Sequence, residues 1–153
     1  MPVSEIMKAL YAGDRDRAEK LASDAELDVF EAAALGETRQ LQRLLGSDRD
    51  LATARSDDDF TALHYAAFFD GPDTARLLVD NGADVNAYAD NELGVHPLNS
   101  AVAAGRGETV ELLLEAGADP NAPTRSGHTP LDTALANGDE EIATLLRAHG
   151  AVG

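Results

Sequence analysis

The chain has 153 residues, 44% of them hydrophobic, with no Cys, no Trp and a formal net charge of −16. That length suits one domain with a useful core, and the missing thiols exclude disulfides, thiolate catalysis and thiolate zinc sites. With 28 acidic residues against 12 basic ones, the chain lacks the basic surface that contact with a nucleic-acid backbone requires.

The first predicted element, EIMKALYAGDRDRAEKLA (5–22), reads as helix, turn at Gly13, helix. The chain itself starts MPVSEIMKALYAG, which has no basic stretch ahead of an apolar one and so does not read as a signal peptide. No apolar run in the chain approaches the roughly 18 residues of a membrane span, so the expected location is cytoplasmic and no membrane role is expected. LDVFEAAALGETRQLQRLL (27–45) repeats the rhythm around Gly36. TALHYAAFFDGPDTARLLVDNGADVNA (61–87) is a fuller version, and HPLNSAVAAGRGETVELLLEAGADPNA (96–122) lies under it without a gap. TPLDTALANGDEEIATLLRAHGA (129–151) follows in register, 33 residues after its predecessor. The step between the two preceding segments is 35, which places two extra residues within Tyr88–Asn91. Self-similarity at such a period decides the fold: units that cannot bury both faces alone must stack.

Each unit carries readable chemistry. Thr61 and Thr129 stand where a hydroxyl can cap a helix, and Pro97 and Pro130 take the next position, where a missing N–H costs nothing. Leu63, Ala66 and Ala67 form one apolar stripe. Gly105 and Gly138 supply the turn to a second helix, which Pro72 can begin in the fuller unit. Leu44-Leu45, Leu77-Leu78, Leu112-Leu113 and Leu145-Leu146 anchor that helix. Gly82, Gly117 and Gly150 close it. Alanine is abundant, so the core is expected from close approach of small-faced helices.

The motifs TPL-x-x-A, turn Gly, LL and GAD-x-N together resemble the ankyrin repeat, closely in Thr61–Ala87, His96–Ala122 and Thr129–Ala151 and more loosely upstream. The resemblance covers essentially the whole chain and looks like a short stand-alone ankyrin protein of the bacterial kind. It implies an all-α solenoid of about five stacked helix pairs with β-hairpin loops between the later repeats. The expected divisions of this single domain are an N-terminal cap (3–24), repeats at 25–58, 59–93 and 94–126, and a C-terminal capping repeat (127–153). Asp59 replaces the usual hairpin Gly, and Asp tolerates a left-handed backbone better than most residues. His64 alone keeps the His of TPLH, with Asn99 and Asp132 in its place elsewhere, so the hydrogen bonds there are expected to differ from unit to unit.

The resemblance also implies a non-catalytic module that binds a protein through its concave face and hairpin tips. The tips carry Asp57, Asp58 and Phe60, then Glu92, Leu93 and Val95, then Arg125 and His128; Tyr88 begins one loop. Phe68 and Phe69 fall on the groove with Ala34, Leu35, Ala103, Ala104, Ala136 and Asn137, and either ring has packing between units as a sufficient structural motive. Of these, Asp57, Asp58, Phe60, Phe68, Phe69, Tyr88, Glu92, Leu93, Val95, Arg125 and His128 form the candidate partner-binding set. The acidity points to a neutral or basic partner, and a monomer is expected. The alternative from another class is a self-assembly module of a larger complex. A metal-responsive or enzymatic protein ranks last. Asp57-Asp58-Asp59 need not converge on one ion, and no nucleophile–base–orienter set or phosphate loop can be named. No cofactor is expected.

Overall fold

A computed structural model describes residues 4–152. Residue 3, where the N-terminal cap is expected to begin, and Gly153 lie outside the described residues. Ten α-helices follow one another: α1 (Glu5–Tyr11), α2 (Arg15–Ala22), α3 (Val29–Leu35), α4 (Thr38–Ser47), α5 (Ala62–Phe69), α6 (Pro72–Asp80), α7 (Pro97–Ala103), α8 (Gly107–Glu115), α9 (Pro130–Ala136) and α10 (Glu140–Ala148), with a 3-10 turn at Arg49–Ala52 after α4. Consecutive helices pair, α1 with α2 through to α9 with α10. From the second pair onward the pairs stack in two rows. In the first row α3 packs on α5, α5 on α7 and α7 on α9; in the second α4 packs on α6, α6 on α8 and α8 on α10.

The rows follow from the residue pattern. Ala32, Ala33, Ala34, Ala66, Ala67, Ala101 and Ala134 are buried in the first row, where a methyl face lets backbones approach. Between the rows lie Leu41, Leu63, Leu78, Leu98, Leu113, Leu131, Ile142 and Leu146, the largest enclosed side chains. Each such burial contributes roughly 1.5–3 kcal/mol, so these residues, one on each of α4 to α9 and two on α10, weld each unit to the next.

Helix starts are more uniform than the sequence suggests. The backbone N–H of the capping residue is accepted three residues on by Glu31 Oε1 (from Asp28, 3.0 Å), His64 Nδ1 (from Thr61, 3.1 Å), Asn99 Oδ1 (from His96, 2.7 Å) and Asp132 Oδ2 (from Thr129, 2.9 Å). The expectation that these bonds differ from unit to unit holds for the acceptor and for the second bond, which runs to Val95 O from His64 and to Ala122 O from Asn99, and fails for the capping bond itself. The acceptor changes and the bond stays, because any side chain with an acceptor at that reach satisfies a free amide at a helix start.

The expected β-hairpins reduce to turns. Among the described residues there is no strand, and the single bridge joins Arg55 and Thr61. Backbone bonds from Ser56 N to Phe60 O (2.8 Å) and from Thr124 N to His128 O (2.8 Å) close two loops. Ladders this short have too few rungs to make a strand. The matching bond from Ala89 N to Val95 O (2.9 Å) encloses two more residues, so the extra pair falls between Ala89 and Val95. In the loop closed by Ser56 and Phe60, Asp59 adopts the left-handed conformation (φ 63°), alone among the described non-glycine residues.

Loops are stitched to the next unit by side chains. Asn86 gives its Nδ2 to Gly117 O (3.1 Å) and accepts Asp119 N (2.8 Å). One repeat later, Asn121 gives its Nδ2 to Gly150 O (3.1 Å) and accepts Val152 N (3.0 Å). The Asn of GAD-x-N is thus a two-ended clip.

Candidate interaction surface

The inner helices and the turns meet along one side of the stack, where they enclose an apolar basin of about 350 Å³. Phe68 and Phe69 end α5 inside it. A helix C-terminus leaves carbonyls unpaired, and α5 has no basic residue in its own last turn. Its neighbours supply the donors. Arg15, on α2, donates to Phe69 O (2.7 Å) and Leu35 O (3.0 Å), and Arg106, just before α8, donates to Phe68 O (2.9 Å). Two guanidiniums at this terminus also suit its partial negative charge.

The two rings then diverge. Phe69 is half-buried, edge-on to Tyr11 at 5.7 Å and to Phe68 at 4.9 Å. Phe68 keeps 43% of its surface exposed. On the other wall, Phe60 packs against His64 (5.5 Å) and edge-on to Tyr65 (5.5 Å), while Leu93, 63% exposed, and Val95 form the rim. Asn99, Ser100 and Ala103 of α7 complete the lining.

Five of the sequence-predicted site residues, Phe60, Phe68, Phe69, Leu93 and Val95, therefore line one cavity. Asp57 and Asp58 line an adjoining, more polar hollow with Asp28, Glu31 and Arg55, and Tyr11 and Tyr65 border both hollows. Glu92 is exposed beside Leu93. The remaining three stand apart. The Tyr88 ring packs on His96 at 5.2 Å, with its hydroxyl over Gly94. Arg125 is tied to the preceding loop through Asn91 O (2.8 Å) and Asp90. His128 bonds the Ser126 hydroxyl (2.8 Å). Ala34 and Leu35, expected on the groove, are buried.

Tyr11 and Tyr65 escaped the sequence reading. Tyr11 had a signal: it stands two residues before Gly13, in the register of Phe68 and Ala103. Tyr65 fills a helix position held by Ser100 and Thr133 in later units, where nothing announces an aromatic. Its hydroxyl donates to Ser56 Oγ (3.0 Å).

His64 is 2% exposed with both ring nitrogens engaged, Nδ1 by the Thr61 amide and Nε2 by Val95 O (2.9 Å). That pattern assigns the neutral tautomer with the proton on Nε2, and burial pushes its pKa down to about 4. The ring is therefore occupied as a strut and is not free to act as a base. Among the described residues no three or more His, Asp or Glu side chains gather to hold a metal ion. Asp59 instead pairs with Arg55 (3.3 Å) and accepts Asp90 N (2.8 Å). No helix of the described residues is long and apolar enough to cross a membrane.

Repeated helix pairs, caps and Asn clips are matched by a family model described as ankyrin repeats (3 copies), over residues 29–124 and 89–152. The chain belongs to the ankyrin-repeat family. It is similar to mouse "Ankyrin repeat and SOCS box protein 16", 40% identical over 103 residues, covering 62% of this chain and 22% of that protein. It is also similar to the chicken "Nuclear factor NF-kappa-B p105 subunit", 32% identical over 125 residues, covering 79% of this chain and 12% of that protein. A third relative is "Palmitoyltransferase akr1" of Neurospora crassa, 30% identical over 125 residues, covering 82% of this chain and 17% of that protein. The chain thus spans less than a quarter of the length of these relatives. Ankyrin repeats are generally protein–protein interaction modules without catalysis of their own.

Proposed function

We propose that this ankyrin stack binds a protein partner by admitting an apolar side chain into the basin between α5, α7 and the turns. The observation that carries the reading is the combination of Phe68 and Leu93, both exposed, over a floor of Phe60 and Phe69. Anchors that fill a desolvated pocket dominate binding energy, and a prealigned surface loses little freedom on binding. Acidic tips at Asp57, Asp58 and Glu92 favour a neutral or basic partner, and the charge of −16 opposes pairing of two copies, which supports a monomer. Tyr88, Arg125 and His128 contribute at the rim and not at the anchor.

A displayed peptide library panned against wild type and against Phe68→Ser/Leu93→Ser tests this reading. Wild type is expected to enrich sequences with a bulky apolar residue, and the double variant to lose them while its melting temperature stays near wild type. Enrichment that survives the double substitution would place binding elsewhere.

A further inference from the structure

The basin has one feature that a purely apolar guest would not match. Ser100 lines it, is only 8% exposed, and its hydroxyl has no hydrogen-bond partner among the described residues. One repeat earlier the equivalent Tyr65 hydroxyl is satisfied by Ser56, so of the two hydroxyls at this register that line the basin only that of Ser100 is unpaired. Covering Ser100 with an aliphatic side chain would strand its hydroxyl away from water, which is costly. A guest with an N–H or O–H on an otherwise apolar body removes that cost. The walls are suited to such a body: Tyr11, Phe60, Phe68 and Phe69 present ring faces and edges, which favour another aromatic ring.

The neighbouring hollow adds a second requirement. Asp28, Glu31, Asp57 and Asp58 line it against one cation, Arg55, and it shares Tyr11 and Tyr65 with the apolar basin. A group entering it from a partner seated in the basin meets an excess of carboxylates.

Resting on the reading above, we propose that the partner is a peptide segment that inserts a tryptophan or tyrosine side chain toward Ser100 and a neighbouring lysine or arginine into the acidic hollow. The indole N–H or phenol O–H meets the Ser100 hydroxyl, which accepts or donates as needed. The cation replaces its lost water with carboxylate oxygens.

Short acetylated, amidated peptides with one residue X between lysines, X being Trp, Tyr, Phe or Leu, test this by NMR titration. The chain has no Trp, so fluorescence of the Trp peptide reports the guest alone. Trp and Tyr peptides are expected to bind about fivefold tighter than Phe and Leu peptides, the worth of one net hydrogen bond. Ser100→Ala, whose thermal melt verifies folding, should erase that advantage, with Phe and Leu peptides gaining affinity because no hydroxyl is left to strand beneath them. Replacing the lysines by glutamine should weaken every peptide. The inference is overturned if Leu binds as tightly as Trp, if the Trp advantage survives Ser100→Ala, if glutamine costs nothing, or if no peptide binds. Binding that depends on Phe68 but ignores the polar atom would sink this inference and leave the proposed function standing.

Discussion

Thr74 and Thr109 occupy the same place one repeat apart, both buried, yet only Thr74 has a partner. Its hydroxyl donates to Asp70 Oδ2 at 2.7 Å, and Asp70 stands where the next unit has Gly105. The glycine leaves Thr109 Oγ1 enclosed and unbonded. Removing a satisfied hydroxyl costs stability, whereas replacing an orphaned one by a methyl of the same shape relieves it. Thr109→Val is expected to raise unfolding free energy by about 1 kcal/mol and Thr74→Val to lower it by about as much, both measured by urea denaturation. His64 gives a second test. Its folded pKa of about 4 lies below the ordinary 6.5 because the buried ring excludes charge. A depressed histidine contributes nothing against unfolding above pH 6.5, and protonation of the unfolded chain removes stability as pH falls from there toward 4. The loss should reach about 3 kcal/mol. Asn99 makes the same two kinds of bond, accepting His96 N and donating to Ala122 O (3.0 Å) without a titrating group. His64→Asn should therefore flatten stability over that window relative to wild type; equal pH slopes in the two proteins would contradict the assignment.

At the scale of elements, the helix pairs were legible because capping residues, Leu pairs and closing glycines recur at nearly constant spacing. What joins one pair to another was not. Arg15 reaches Leu35 and Phe69, residues 20 and 54 positions away, a contact with no periodic signature. It also pairs with Asp70 (3.4 Å), whose carboxylate lies against the bare Cα of Gly36; any side chain there would displace it. The candidate site was legible to the same degree. Five ring and rim residues could be read from their register, but Tyr65 and Ser100 could not, since an inward helix position accepts either. That Phe69 packs while Phe68 stays open depends on Tyr11, which lies in a pair of different length. The Arg15 clamp predicts how the molecule frays. The clamp ties the terminal pair to the second and third pairs, and in a linear stack a terminal pair has neighbours on one side only, so Arg15→Ala should loosen α1 and α2 first. We expect a loss of about 1–2 kcal/mol, tempered by the exposure of the side chain, seen as faster amide exchange over residues 5–22 with α9 and α10 unchanged. Uniform acceleration along the chain would show that the ends are coupled more tightly than the packing implies.

At the scale of the whole molecule, the net charge of −16 acts on folding and on binding with opposite sign. Within the stack the acidic residues repel one another, and compactness brings them closer than in the unfolded chain. Among the described residues exposed ion pairs such as Lys8–Glu5 (2.9 Å) and Arg15–Glu19 (3.0 Å) are few and contribute little. Repulsion therefore dominates the long-range electrostatics. Raising ionic strength from about 0.01 M to about 0.15 M shortens the screening length from about 30 Å to about 8 Å, which silences repulsion between units while leaving adjacent pairs partly intact. The melting temperature should rise over that range. A basic partner responds the other way: screening removes the attraction that speeds encounter, so the association rate should fall while dissociation from the aromatic basin changes little. Measured side by side by calorimetry and by stopped-flow with the lysine-flanked Trp peptide, the two trends must cross. A melting temperature that falls with salt would mean that ion pairs outweigh repulsion in this fold. An association rate indifferent to salt would mean that the acidic hollow beside the basin does not meet the partner's charge.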